Sequence, residues 1–189
     1  MKTRRIVITG GPAVGKTALI DHLESLNYHC FPELIREFTM EETENKSEEA
    51  LLSNPIVFAD DSMEFNQRLL NGRAQQFYSS KELNEGLIFF DRGLPDVLAY
   101  MDFFNQTYPQ DFIDTCSVLK YDEVFILPPW QEIFKEDEGR FESYQEGLRL
   151  YDQLLNRYSE LGYQPIVVPK DTVEHRVKFI LSSLNQPLD

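Results

Sequence analysis

The sequence predicts an α/β fold, a parallel five-stranded sheet between layers of helices. Three observations carry this. Five short apolar runs, rich in Ile, Val, Leu and Phe, mostly lack the strict alternation of a half-exposed strand, as strands covered on both faces do. Stretches with helical spacing lie between them. Strands alternating with helices then require right-handed crossovers and a parallel sheet.

The strands are expected at Ile6–Thr9, Tyr28–Phe31, Leu87–Phe90, Glu123–Leu127 and Pro165–Val168. Between them, Lys16–Ser25 carries Leu19, Leu23 and Leu26 at helical spacing. Glu64–Leu83 carries Phe65, Leu69, Leu70, Phe77 and Tyr78, with Gly72 weakening its middle. Pro95–Phe104 has Pro in its first turn. A helix from about Glu142 to Leu161 shows the stripe Leu148, Tyr151, Leu154, Leu155 and Tyr158, and Gly162 stops it. The last helix follows Pro169, with Asp171 or Thr172 as N-cap and Val173, Val177, Ile180, Leu181 and Leu184 facing inward.

The chain of 189 residues suits one domain, 1–189, and its 42% apolar content suits a packed core. No apolar run approaches the roughly 20 residues that cross a bilayer. The basic N-terminus runs into glycines too soon to be a signal peptide. Cys30 and Cys116 lack metal-ligand spacing and are too few for a disulfide framework. A cytoplasmic protein with reduced thiols is expected. The net charge of −14 repels nucleic acid and anionic membranes. It leaves room for a single nucleotide, because a phosphate site works with local amides and one or two cations. Residues 33–64 hold ten acids against two bases, Arg36 and Lys46. The stretch from about 36 to 64 reads as a solvated loop, or as a gate over a neutral or cationic substrate.

Gly10-Gly11-Pro12-Ala13-Val14-Gly15-Lys16-Thr17 matches Gly-x-x-x-x-Gly-Lys-[Ser/Thr], following a strand and opening a helix. The glycines let successive N–H groups of Gly10, Gly11, Ala13, Val14, Gly15, Lys16 and Thr17 face a phosphate, and the helix N-terminus adds partial positive charge. Pro12 has no N–H. Lys16 is expected on the β- and γ-phosphates of ATP, and Thr17 on Mg2+.

Three further signals lie after strands, on the edge where ligands bind in open α/β sheets. Leu87–Phe90 ends abruptly in Asp91-Arg92-Gly93. Asp91 suits Mg2+, directly or through water, and Arg92 suits an anion. Pro32-Glu33-Leu34-Ile35-Arg36 offers Glu33 for a substrate hydroxyl and Arg36 for phosphate or substrate. A helix-start acid with a local ion pair is the plainer account of that pair. The run from about 128 to 141 holds Pro128-Pro129-Trp130 and Lys135 to Arg140. It reads as a lid, with Arg140 or Lys135 reaching the transferring phosphoryl group, or as a solvated charge run. Trp130 suits packing better than adenine stacking.

With these parts in order, nearly the whole chain resembles the small AAA-domain P-loop ATPases related to the ribosylnicotinamide kinase domain, and more loosely the deoxynucleoside and nucleotide kinases. The resemblance rests on Gly10–Thr17, Glu33 with Arg36, Phe90–Gly93, Pro128–Trp130 with Asp137 and Arg140, and Val173–Leu181. It implies a parallel five-stranded P-loop NTPase sheet, a base at Glu33, substrate and phosphate contacts from Asp91 and Arg92, and an arginine-bearing lid. The kinases usually carry Ser after the acid–Arg pair, where this chain has Gly93.

The leading expectation is Mg2+-dependent phosphoryl transfer from ATP to a small nucleoside-like hydroxyl. Lys16, Glu33, Asp91, Arg92 and Arg140 form its catalytic set. The competing one is a nucleotide-dependent regulatory NTPase with a protein or lipid partner. A Ras-like GTPase is disfavoured, since no Asn-Lys-x-Asp follows a strand. A hexameric motor is disfavoured, since no helical lid domain follows. A binding-only domain is disfavoured by the intact Lys16, Thr17 and Asp91.

Overall fold

The computed structural model describes residues 3–35, 38, 62–134 and 143–186. Five strands form one parallel sheet in the order β2-β3-β1-β4-β5. They are β1 (Arg4–Gly10), β2 (His29–Phe31), β3 (Leu87–Asp91), β4 (Glu123–Leu127) and β5 (Ile166–Val167). The helices are α1 (Lys16–Ser25), α2 (Ser62–Ser79), α3 (Leu94–Phe103), α4 (Gln110–Val118), α5 (Tyr144–Glu160) and α6 (Val173–Ser183).

Successive strand residues point to opposite faces, and both faces here are covered. Val7, Ile88, Phe90, Val124 and Ile126 join one core with residues of α2, α3, α4 and α5. Ile6, Ile8, Leu87, Phe89, Phe125 and Leu127 join the other, with Leu19 and Leu23 of α1 and Val177, Ile180 and Leu181 of α6. Phe89 and Phe90 are both fully buried, one on each side. Each contributes about 1.5–3 kcal/mol relative to exposure. Strand 3 therefore has no polar face, which is why its sequence runs apolar without alternation. Among the described residues, no helix is long and apolar enough to cross a membrane.

β1 is flanked by β3 and β4, in the registers Ile8↔Asp91 and Gly10↔Leu127. The chain leaves β1 into α1 on one face and leaves β3 into α3 on the other. That divergence opens a crevice at the carboxyl ends of β1 and β3.

Three expectations need correction. Helix α4 was not foreseen: only Phe112 and Cys116 of it are buried, too thin a stripe to stand out among polar residues. The buried face of α5 is Gly147, Leu150, Leu154 and Tyr158. Leu148, Tyr151 and Leu155 lie at its border. Gly72 does not interrupt α2. It lets Leu34 pass close, for a Cβ there would sit 2.7 Å from Leu34 Cδ1. At the last helix Thr172 is the N-cap, its hydroxyl accepting from His175 N at 3.3 Å. Most of the acidic stretch 36–64, and residues 135–141 of the expected lid, lie outside the described residues.

Candidate active site

The loop from β1 to α1 is shaped by backbone that few side chains tolerate. Gly10 (φ 153°) and Gly15 (φ 79°) both occupy positive φ. A Cβ on Gly10 would lie 2.9 Å from the Leu127 carbonyl oxygen of the neighbouring strand. Ala13 (φ 56°) is left-handed without the glycine excuse. Such residues carry strain on the order of 1–3 kcal/mol and cluster at functional sites. Gly15 caps α1 without a side-chain hydrogen bond, and the first turn holds no acid. The positive end of α1 is thus left for an external anion.

Four predicted residues meet here. Lys16 Nζ pairs with Asp91 Oδ1 directly and with Glu33 Oε2 at 3.3 Å. Arg92 Nε donates to Glu33 Oε2 at 2.8 Å, and its Nη1 donates to the Gly10 carbonyl at 3.0 Å. Arg92 itself has φ 74°. Its N–H still continues the sheet ladder to Ile8 O at 3.0 Å, so the left-handed turn falls where the strand stops and swings the guanidinium back over the loop. The ring of Tyr100 lies 5.1 Å from its carbon. Burial acts to lower the Arg92 pKa, but Glu33, Tyr100 and the nearby aspartates hold it well above its usual value.

Arg73 of α2 completes the cluster, and sequence reasoning missed it. It is 2% exposed, donates through Nη1 to Gly93 O at 2.8 Å, and brings Nη2 to 3.5 Å from Glu33 Oε1. Burial pushes the Glu33 carboxyl up, but Arg92, Lys16 and Arg73 outweigh it and hold the pKa down at about 2. Its two oxygens differ. Oε2 is shared by Lys16 and Arg92, whereas Oε1 is buried with no hydrogen-bond partner, as is Arg73 Nη2. A buried carboxylate oxygen without a donor costs about 1–3 kcal/mol. The group it faces is Arg73 Nη2, within ion-pair reach but without a hydrogen bond.

Asp96 is the other acid beside Arg92, also unforeseen. It is fully buried and saturated. Thr9 Oγ1 (2.5 Å) and Arg92 Nη1 (3.3 Å) donate to Oδ1. Tyr158 OH (2.5 Å) and Gly93 N (3.0 Å) donate to Oδ2. Burial and Asp96 together push the Tyr158 phenol well above its ordinary pKa. The signal was present as Gly93-Leu94-Pro95-Asp96, an N-cap with an acid three residues on. Tyr158 also explains Gly93, since any Cβ there would lie 2.7 Å from the Tyr158 oxygen and 3.0 Å from Val7 Cγ2. A serine does not fit this corner.

Thr17 is exposed in the first turn of α1. With Asp91 it offers two hard oxygen donors. Among the described residues no group of three His, Cys, Asp or Glu could hold a metal. The donor set therefore fits an ion that takes its other ligands from phosphate and water, as Mg2+ does. Trp130 is half-buried. Arg36 and Arg140 lie outside the described residues.

Sheet order, glycine loop and strand-end acid together define the class, a P-loop α/β protein with the architecture of nucleoside and nucleotide kinases. Residues 5–176 match the AAA domain family model, and the chain belongs to that family. Solved structures with the same fold include a deoxyadenosine kinase from M. mycoides, with a TM-score of 0.65 and 19% identity over 96% of this chain and 98% of that one. A NadR protein in complex with NR gives a TM-score of 0.69 and 17% identity, over 99% of this chain and 53% of that one. Thymidylate kinase from Ehrlichia chaffeensis gives 0.63 and 13%, over 97% and 100%. No curated protein matches the sequence.

Proposed function

We propose that this chain is an ATP-binding, Mg2+-dependent phosphotransferase whose acceptor is a small nucleoside-like hydroxyl. The observation that carries the reading is Glu33: a carboxylate beside a phosphate-binding loop, one oxygen tied to Lys16 and Arg92 and the other facing Arg73 at 3.5 Å without a hydrogen bond. The kinase architecture of the solved relatives supports the same reading.

The P-loop amides and Lys16 bind the phosphates, whose oxygens compete with Asp91 and Glu33 for the ammonium. Thr17 and Asp91 would hold Mg2+, which would supply charge neutralisation on the transferring group. Arg92 lies next to the acceptor carboxylate and stabilises charge that develops between donor and acceptor. A carboxyl held at about 2 is a weak base. Glu33 therefore chiefly orients the hydroxyl and takes its proton late, which suits a loose transition state with little nucleophilic demand. Catalysis is mostly positioning and electrostatics. Arg36 and Arg140 are assigned to substrate and phosphoryl contacts from sequence position alone.

The test is ADP release from Mg-ATP with and without each member of a nucleoside panel. A large acceptor-dependent rate, lost in Glu33→Gln, is the expected result. Slow ADP release that no acceptor alters would overturn the reading in favour of a regulatory NTPase.

A further inference from the structure

Arg176 occupies the first turn of α6, a place that disfavours a cation in three ways. The N-terminal end of a helix repels positive charge. The side chain is only 3% exposed. No carboxylate pairs with it among the described residues; Asp171 is engaged by His175 and Thr172 N, and Glu174 is exposed. Burial alone moves its pKa, downward. Its Nε is buried without a partner. A buried guanidinium with no countercharge is costly unless an anion arrives.

What Arg176 does touch is the P-loop. Its Nη2 donates to the Val14 carbonyl at 2.9 Å, and Nη1 would lie 2.9 Å from a Cβ on Gly15. A trans peptide points its C=O and N–H in opposite directions. Anchoring the Val14 oxygen on Arg176 therefore turns the Gly15 N–H the other way, away from α6. A cation on the carbonyl also polarises the amide and strengthens it as a donor.

We propose that Arg176 is a positioning residue of the nucleotide site: through the Val14 carbonyl it fixes the Gly15 amide toward the phosphates. This rests on the reading of Gly10–Thr17 as a nucleotide site, not on the identity of the acceptor. It explains why a conformationally costly glycine and a costly arginine are packed against each other, for each is needed only if the peptide between Val14 and Gly15 must face one way.

The test compares wild type with Arg176→Gln by ATP calorimetry and by the amide signal of Gly15, one of nine glycines, in protein labelled with nitrogen-15 glycine. Wild type should show a downfield shift of the Gly15 proton on ATP binding. Arg176→Gln should bind ATP about 10- to 100-fold more weakly, the range for a charge-assisted hydrogen bond, with that shift reduced. If Arg176→Gln does not fold, Arg176→Lys keeps the charge, loses the planar fork, and should reduce the shift to a smaller degree. A Gly15 shift equal to wild type in whichever variant folds overturns the proposal, whatever happens to melting temperature. Wild type that binds no ATP would instead sink the nucleotide reading itself, a separate and visible result.

Discussion

Two carboxylates flank Arg92, and they are built to opposite ends. Asp96 has a donor for each lone pair it presents, drawn from β1, α5 and the strand-end turn. Glu33 sits among three cations, yet one of its oxygens has no hydrogen-bond partner. A saturated buried acid holds elements together. An unsaturated one beside a crevice stores a hydrogen-bonding capacity that folding alone does not use. The same arginine thus joins a saturated corner to an unsaturated one.

Removing each acid should break this contrast most sharply. Asp96→Ala strands Thr9 and Tyr158 and takes one partner from Arg92, and should cost about 3–5 kcal/mol of stability in denaturant titrations, the range for breaking a buried pair. Glu33→Gln should lower acceptor-dependent transfer about 10²–10³-fold, comparable to losing one preorganised group, with ATP affinity changed less than threefold. A Glu33 variant that loses both in equal measure would make Glu33 a second structural acid. Lys16→Ala should remove turnover by a similar factor or more, and should also lower the melting temperature, because it leaves the buried Asp91 without its ammonium.

Smaller effects sharpen the picture. Gly93→Ala should cost about 1–3 kcal/mol by overpacking. Adding Tyr158→Phe should recover part of that loss, giving a non-additive double-mutant cycle. Strict additivity would show that the Tyr158 hydroxyl is not what excludes a side chain. pH gives the last test. Because the Glu33 pKa is depressed on folding, its contribution is present above the ordinary carboxylate value near 4.5 and is lost as pH falls toward about 2. Transfer should therefore show no acid limb from Glu33 between about pH 5 and 8. A limb in that window that Glu33→Gln abolishes would contradict the ion-paired geometry.

Much of this was legible because it sits at strand ends. Lys16, Glu33, Asp91 and Arg92 each follow an apolar run, and the crevice edge is the one place a sequence marks by abrupt change of character. Arg73, Asp96 and Arg176 lie inside helices, where a polar residue looks like part of a solvated face, whereas Tyr158 was legible as part of its helix's apolar stripe. Nothing in Asn71-Gly72-Arg73 distinguishes an arginine 2% exposed from one in water. Long-range contacts decide that, and they have no local period. The strands were readable from composition, but α4 was not, because two buried residues in nine leave its amphipathic signal thin.

The position of β1 in the middle of the sheet also has a consequence for synthesis. Of the five strands of this sheet it is made first, yet its partners are Leu87–Asp91 on one side and Glu123–Leu127 on the other. Arg5 N must wait for Asp122, 117 residues later, to find its acceptor. Such non-local pairing is slow to form. The wall against which Gly10 is shaped, the Leu127 carbonyl, arrives last of these. A nascent chain therefore carries the Gly10–Thr17 loop until Leu127 has been made before the loop has a fixed form, and a ligand of that loop can stabilise only a chain whose fourth strand has already been added.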